Sequence, residues 1–339
     1  MRCYTVDGTG LEGLKLVNRQ PAGSLPPGHV RVDVHAISLN YRDLLVAGGQ
    51  YGGVQEPAII AASDMSGVVT ELGPAVSDLS VGDRVLNAPI PGWLAGELRR
   101  DRSRTLIGGQ GVDGVLAEQI VFPSASLVTI PEHLSFEEGA TLTVAGLTAW
   151  AAVVTHGQTQ PGQWVLIHGT GGVAIFAAQI ASILGARIIQ TTSSSEKALQ
   201  LKNTLGVHHT LDYGDEDWPR QAQDLTGGCG VDVVVETAGG CSLQRSIQAC
   251  GFGARIGMIG VLDSLESCIN VFSLIMRQIS VHGIYVASVA ELRALAVAVA
   301  ANELVPVIDR VFAFEDARAA YDHLKSQQHF GKVVIRVRD

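Results

Sequence analysis

The sequence lacks any long cationic tract and carries little charge for its length. Of 339 residues, 17% are charged, and the formal net charge is −9. No basic block is long enough to follow a nucleic-acid backbone, so DNA and RNA are not expected partners. Cysteine is scarce. Cys3, Cys229, Cys241, Cys250 and Cys268 form an odd set with no CxxC pair. That pattern argues against a disulfide framework and a cysteine zinc knuckle. No apolar run reaches the ~18 residues of a membrane span. The most apolar helical stretch, 172–186, is broken by Gln179 and Ser182. Residues 1–7 lack the apolar core of a secretory leader. These absences together predict a cytoplasmic protein with no membrane partner.

Hydrophobic residues are plentiful, at 47%. The chain is long enough for two cores rather than one. Its first third reads as short strands at 29–37, 66–71, 82–87 and 115–122, bounded by turn residues. Val30, Val32 and Val34 alternate to one face. Such strands predict a small barrel or sandwich. Segment 89–114 holds Trp93 and a charge run at 97–104. It reads as a surface loop, with a substrate lid as the alternative.

The pattern changes near Pro131. Ser135 and Glu138 have capping-box spacing, and 142–154 continues helical. From Trp164 buried strands alternate with helices. Strands are expected at 164–168, 187–191, 231–236, 254–259 and 279–286, and helices near 172–185, 196–205, 216–225 and 241–250. That alternation predicts an α/β unit, a doubly wound parallel sheet covered on both faces. Ser288 and Glu291 cap a further helix reaching 301. Another helix is expected at 315–326, and a final strand at 332–337. The expected domains are 1–130 with 288–339, and 131–287 between them.

One motif carries chemistry. The strand 165–168 runs into Gly169-Thr170-Gly171-Gly172-Val173-Ala174, and an apolar helix follows. This is G-x-G-x-x-A in the strand–turn–helix setting of a dinucleotide site. Gly169 permits the tight turn, Gly171 lets the backbone approach a pyrophosphate, and Ala174 keeps the helix close to the sheet. The helix N-terminus at Gly172 and Val173 offers N–H groups to the phosphates. The next strand chooses between cofactors. NAD sites usually place Asp or Glu about 20 residues beyond the turn. Here stand Gln190, Thr191, Thr192 and three serines, then Glu196 and Lys197. Ser193 and Lys197 could accept the 2′-phosphate of NADPH. The same Ser193-x-x-Glu196 spacing also reads as a capping box.

These features resemble the medium-chain dehydrogenase/reductase superfamily, and most of all its zinc-free quinone oxidoreductase (ζ-crystallin-like) branch. The matching stretches are 37–43 (ISLNYRD), 64–69 (DMSGVV), 81–85 (VGDRV), 145–150 (AGLTAW) and 330–334 (FGKVV). The resemblance spans essentially the whole chain. It implies a GroES-like β-barrel substrate domain, an inserted Rossmann domain and a homodimer or homotetramer. Where zinc-dependent members carry ligands, this sequence holds Asn40, Ser63 and Val144, with Asp64 as the retained acidic neighbour. No zinc is therefore expected.

Without a Lewis acid, a conjugated acceptor is the easier substrate, because its own oxygen takes up the charge. The expected activity is NADPH-dependent reduction of a quinone or an α,β-unsaturated carbonyl. The alternatives are a zinc-independent alcohol or aldehyde dehydrogenase, or a cofactor-binding structural or regulatory protein. The resemblance implies catalytic roles for Asn40, Tyr41 and Tyr51. It implies cofactor contacts for Thr148, Tyr213, Gly260, Val261, Val286, Ala287 and Lys332. Arg42 with Asp43 reads as a structural ion pair or backbone clamp.

Overall fold

The computed structural model describes every residue except Ala22, Arg104 and Asp339. The last residue of the 97–104 charge run thus lies outside the described residues. The chain divides into two compact units. One joins Met1–Leu147 to Ser288–Asp339, and the other is Thr148–Ala287. The first division falls later than 131. Helix Phe136–Ala140, which the sequence assigned to the second domain, packs on strands His29–Leu39 and Asp64–Leu72 of the first unit. Its capping box at Ser135 and Glu138 is present.

In the first unit, strand His29–Leu39 is the organising element. It pairs antiparallel with Lys332–Arg336 on one side and with Asp64–Leu72 on the other. The sheet continues through Arg84–Asn87 to Leu127–Thr129, and Ile308–Ala313 lies outside Lys332–Arg336. Val30, Val32 and Val34 are fully buried, as the alternation requires. A smaller sheet orders Lys15–Asn18, Arg2–Val6 and Ile59–Ile60.

Segment 89–114 is exposed in its middle and anchored at its shoulders. Ile90, Trp93, Leu106 and Ile107 are buried. The carbonyls of Trp93 and Leu94 accept the N–H groups of Val289 and Ala290 at 3.0 and 2.9 Å. Those groups open helix Val289–Ala301 and have no partner within it.

The second unit is a six-stranded parallel sheet. Its order is His209–Asp212, Arg187–Thr192, Trp164–His168, Val231–Glu236, Cys250–Met258 and Ser280–Gly283. Apolar strands such as Val231–Glu236 are buried along their length, because helices cover both faces. The last strand is shorter than the expected 279–286. After Gly283 the chain leaves the ladder, with a final bond from Ile284 N–H to Met258 O at 2.8 Å. Strand His209–Asp212 and helix Val271–Arg277 carried too little periodicity to be read in advance. No helix among the described residues is long and apolar enough to cross a membrane.

Candidate active site

Sheet register assembles a polar cluster in the first unit. Val333 faces Leu39 across the ladder, which brings Lys332 opposite Asn40. From the other neighbour, Asp64 pairs with Ser38. Asn40 ends the strand and precedes helix Tyr41–Ala47. Its N–H donates to Asp43 Oδ2 at 2.8 Å, which caps that helix. Arg42 lies 3.5 Å from Asp43 and donates to Gly108 O at 3.3 Å. It is therefore both ion pair and backbone clamp.

Asp64 gathers the three positions singled out in the sequence. Its Oδ1 accepts the Ser63 hydroxyl at 2.7 Å, and its Oδ2 accepts the Val144 N–H at 3.1 Å. That N–H is available because Leu142–Gly146 is a π-helical turn, in which Gly146 N–H reaches back to Thr141 O. Lys332 is 3% exposed. Its ammonium donates to Leu39 O and to Asn40 Oδ1, both at 2.6 Å. The sequence assigned Lys332 to the cofactor; its Nζ instead serves these two oxygens. Asn40 Nδ2 and Thr143 Oγ1 are buried with no hydrogen-bond partner among the described residues. The Asn40 side chain lowers the Asp64 carboxyl through a side-chain hydrogen-bond interaction. It is a weak one, since Asn40 Nδ2 meets no acceptor at full hydrogen-bonding distance and angle among the described residues.

Burial dominates the ionisation of this cluster. It raises the Asp64 carboxyl, opposed by Lys332, Asn40, Ser63 and the Val144 N–H. It lowers Lys332, opposed by Asp64 and Asp43. It pushes Asp43 up to about 6, opposed chiefly by Arg42. The sign follows from linkage. The folded protein holds the Asp43 proton to higher pH than the unfolded chain, whose carboxyl titrates near 3.8. This contribution to stability is fully present below 3.8 and is lost as pH rises through about 6. Asp43→Asn is expected to remove that descending limb from a urea-midpoint-against-pH curve. Parallel curves for the two proteins over that window would refute the assignment.

The second unit holds the nucleotide turn. Gly169 has φ 80°, a left-handed backbone that favours glycine. Helix Gly172–Ile183 starts with no side-chain cap at Gly171, and Ile175 N–H makes the bond to Gly171 O. The first N–H groups of the helix, those of Gly172, Val173 and Ala174, have no carbonyl four residues back within it and suit a ligand. These residues fit a dinucleotide pyrophosphate. Helix Ser195–Leu205 corrects one expectation. Its N-cap is Ser194, which accepts the Lys197 N–H at 3.2 Å, and not Ser193. Ser193 is exposed and Lys197 half-buried. Gln190 Nε2 donates to Gly169 O at 2.8 Å, so this residue braces the turn.

Beneath the turn lies a buried network that the sequence did not reveal. Glu236 Oε1 accepts the N–H groups of Ala238 and Gly239 at 2.9 and 3.2 Å. Ser242 donates to the same carboxylate, and Ser246 donates to Oε2 at 2.6 Å. Having given its proton to Glu236, Ser246 accepts from His168 Nε2 at 2.8 Å. His168 Nδ1 then accepts the Thr191 hydroxyl at 2.9 Å, which assigns a neutral imidazole. Burial holds His168 below its ordinary pKa, against the pull of Glu236. Thr237 Oγ1 donates to His168 O at 2.8 Å. The network thus ties segment 237–240 to the residue that opens the glycine turn. The signal was a charged residue ending an apolar strand just before Thr-Ala-Gly-Gly.

The remaining predicted residues are placed as follows. Tyr41 is 39% exposed at the start of its helix. Tyr51 is half-buried, with the Arg42 guanidinium 5.4 Å from its ring centre. Thr148 is buried, and its hydroxyl has no partner among the described residues. Tyr213 is half-buried and hydrogen-bonds Ser242. Gly260 admits no side chain, because a Cβ there would lie 1.7 Å from Thr237 O. Val261 is 39% exposed, while Val286 and Ala287 are buried.

A parallel sheet with a pyrophosphate turn, joined in one chain to an antiparallel unit with a polar cluster, defines a dinucleotide-dependent oxidoreductase. The comparisons agree. A family model described as alcohol dehydrogenase GroES-like domain matches residues 26–132, and one described as zinc-binding dehydrogenase matches 172–302. The zinc-type alcohol dehydrogenase-like protein of Schizosaccharomyces pombe is 35% identical over 97% of this chain and 96% of its own. A 2-haloacrylate reductase of a Burkholderia species is 29% identical, covering 92% of each chain. A solved structure from Sinorhizobium meliloti, described as a candidate alcohol dehydrogenase, superimposes with TM-score 0.91 at 39% identity, over 99% of this chain and 98% of that one. A solved NAD-dependent alcohol dehydrogenase gives TM-score 0.88 at 32% identity over the full length of both. The chain belongs to the medium-chain dehydrogenase/reductase superfamily, with a GroES-like unit and a Rossmann-type unit.

The family's description implies zinc, and the residues present do not fit it. Asn40 and Ser63 are poor ligands, and Val144 has none to offer. Of the two nearby carboxylates, Asp64 is already engaged by Ser63 and Val144 and Asp43 by the Asn40 N–H and Arg42, and the Lys332 ammonium would oppose a second cation. Among the described residues, no group of three or more His, Cys, Asp or Glu could hold a metal.

Proposed function

We propose that this chain is a cytoplasmic, zinc-independent, NADPH-dependent reductase of quinones or α,β-unsaturated carbonyl compounds. The observation that carries the reading is Asn40 Nδ2, a buried donor that makes no full hydrogen bond among the described residues and only a weak one to Asp64, beside a cation that holds its oxygen. An unsatisfied buried donor costs about 1–3 kcal/mol and calls for a partner. A developing oxyanion on the acceptor supplies one. When bound, the nicotinamide supplies hydride from C4. Asn40 stabilises the charge that reaches the acceptor's oxygen, and solvent supplies the proton, to the α-carbon of an enolate or to the phenolate oxygen of a reduced quinone. Tyr51 and Tyr41 line the same helix and loop, and Thr148 offers its hydroxyl to the carboxamide. The Burkholderia relative is named for reducing a haloacrylate, which is itself a conjugated acceptor.

For the cofactor, the absence of an acid at 190–194 and the release of Ser193 from capping support NADPH. Tyr213, Gly260, Val261, Val286 and Ala287 are read as further cofactor contacts. A second reading, a zinc-independent alcohol dehydrogenase using NADH, is favoured by the solved NAD-dependent relative. One assay separates the two. Quinones, enones and enals are expected to oxidise NADPH with at least tenfold higher kcat/KM than NADH, unchanged after chelation. Turnover of simple alcohols with NAD, or activity lost on chelation and restored by zinc, would overturn the reading.

A homo-oligomer is also proposed. Strand Ser280–Gly283 ends the parallel sheet with one edge unpaired among the described residues, and all four of its residues are exposed. Helix Val271–Arg277 exposes Phe272 at 67% and Ile275 at 66%. An open edge beside an apolar helix suits a second copy of the chain. Light scattering is expected to give at least twice the 35.7 kDa chain mass. Phe272→Asp with Ile275→Asp is expected to lower it to one chain. A wild type that is already monomeric would reject the proposal.

A further inference from the structure

We infer that Lys332 is a positioning residue, which acts on the acceptor through the Asn40 amide without touching the substrate. The inference rests on the proposed role of Asn40. Lys332 is 3% exposed and approaches Asn40 from the adjacent antiparallel strand, with Val333 registered on Leu39. Burying an ammonium is unfavourable unless its donors are satisfied. Lys332 meets that demand in an unusual way. Both of its hydrogen bonds go to neutral oxygens, Leu39 O and Asn40 Oδ1, at 2.6 Å. The carboxylates of Asp64 and Asp43 act on it only at longer range.

An ammonium carries donors and no acceptor. The amide atom that faces it must therefore be oxygen. A lone asparagine can flip its amide and present either end to a ligand. Asn40 cannot, because the flipped amide would aim its own N–H groups at the ammonium. Nδ2 is thus committed to the other side, where it makes no full hydrogen bond among the described residues and interacts only weakly with Asp64. A cation on the oxygen also draws density from the amide and makes Nδ2 a stronger donor. A single side chain thereby selects the donor end and strengthens it. Asp64 keeps the site neutral overall while engaged by Ser63 and Val144.

The test is a double-mutant cycle on NADPH-dependent reduction of a small quinone, with Lys332→Met, Asn40→Ala and the combined variant. Lys332→Met keeps the stem and removes the charge. It is expected to lower kcat about tenfold, with KM for NADPH within about twofold. In the Asn40→Ala background the same change is expected to cost nothing more. Losses that multiply would show that Lys332 acts elsewhere and would overturn the inference while leaving the function standing. If Asn40→Ala alone leaves kcat/KM within about twofold of wild type, the function reading and this inference fall together. Should Lys332→Met fold poorly, the cycle is repeated with Asp64→Asn in all four proteins, so that the Lys332→Met variants keep no uncompensated Asp64 carboxylate. A loss from Lys332→Met that persists at full size beside Asn40→Ala in that background is equally decisive against it.

Discussion

Asn40→Ala is expected to lower kcat/KM for a quinone or enone by about 100-fold, or about 2.7 kcal/mol of transition-state stabilisation. The size follows from the position of the donor. Nδ2 is buried and makes no full hydrogen bond among the described residues, so an oxyanion displaces only its weak interaction with Asp64 when it binds there. NADPH affinity is expected to stay near wild type, because the nucleotide turn belongs to the other unit. Asn40→Asp is expected to be worse than Asn40→Ala. It replaces the donor with a carboxylate that repels the developing charge. Stopped-flow hydride transfer at saturating NADPH would check both. Equal rates in Asn40→Ala and wild type would remove Asn40 from the chemistry.

Glu236→Ala is expected to destabilise the protein by on the order of 4 kcal/mol. The carboxylate accepts two backbone N–H groups and two serine hydroxyls, and one of those serines accepts from His168. Truncation strands all of these donors in a site with no solvent exposure. Glu236→Gln keeps one acceptor oxygen and turns an NH₂ towards the others, so it is expected to fall between. Both variants should also weaken NADPH binding, since Thr237 braces the carbonyl of His168 at the glycine turn. Denaturant midpoints and fluorescence titration with NADPH read the two effects separately. A stability within 1 kcal/mol of wild type would mean that water replaces the carboxylate at little cost.

The Rossmann-type unit was legible because its signals are local. Each buried strand is a short apolar run, and the turn at Gly169 needs residues within six positions of one another. The capping boxes at Ser135 and Ser288 were equally plain. What escaped was set by pairing between distant segments. Helix Tyr41–Ala47 is only seven residues long, and its cap is Asp43 reaching back to Asn40, which a scan for Ser or Thr passes over. Asn40 was found through the resemblance, but its orientation depends on a lysine 292 residues away. Lys332 itself was read through the resemblance as a cofactor contact. Only the register of Val333 on Leu39 turns it inwards. At Ser193 the spacing to Glu196 offered a cap as the alternative to a phosphate contact, and its neighbour Ser194 supplies that cap.

The same strand has a consequence for biosynthesis. Residues 148–287 form one uninterrupted stretch, so the nucleotide-binding unit can close as soon as it leaves the ribosome. The other unit cannot. Strand Lys332–Arg336 seats between His29–Leu39 and Ile308–Ala313, and it is translated after both of them. Until then, His29–Leu39 presents an open ladder edge, and the polar cluster has two buried acids without their ammonium. The nascent chain therefore carries an aggregation-prone edge and an incomplete donor site at the same time, and one late pairing event closes both.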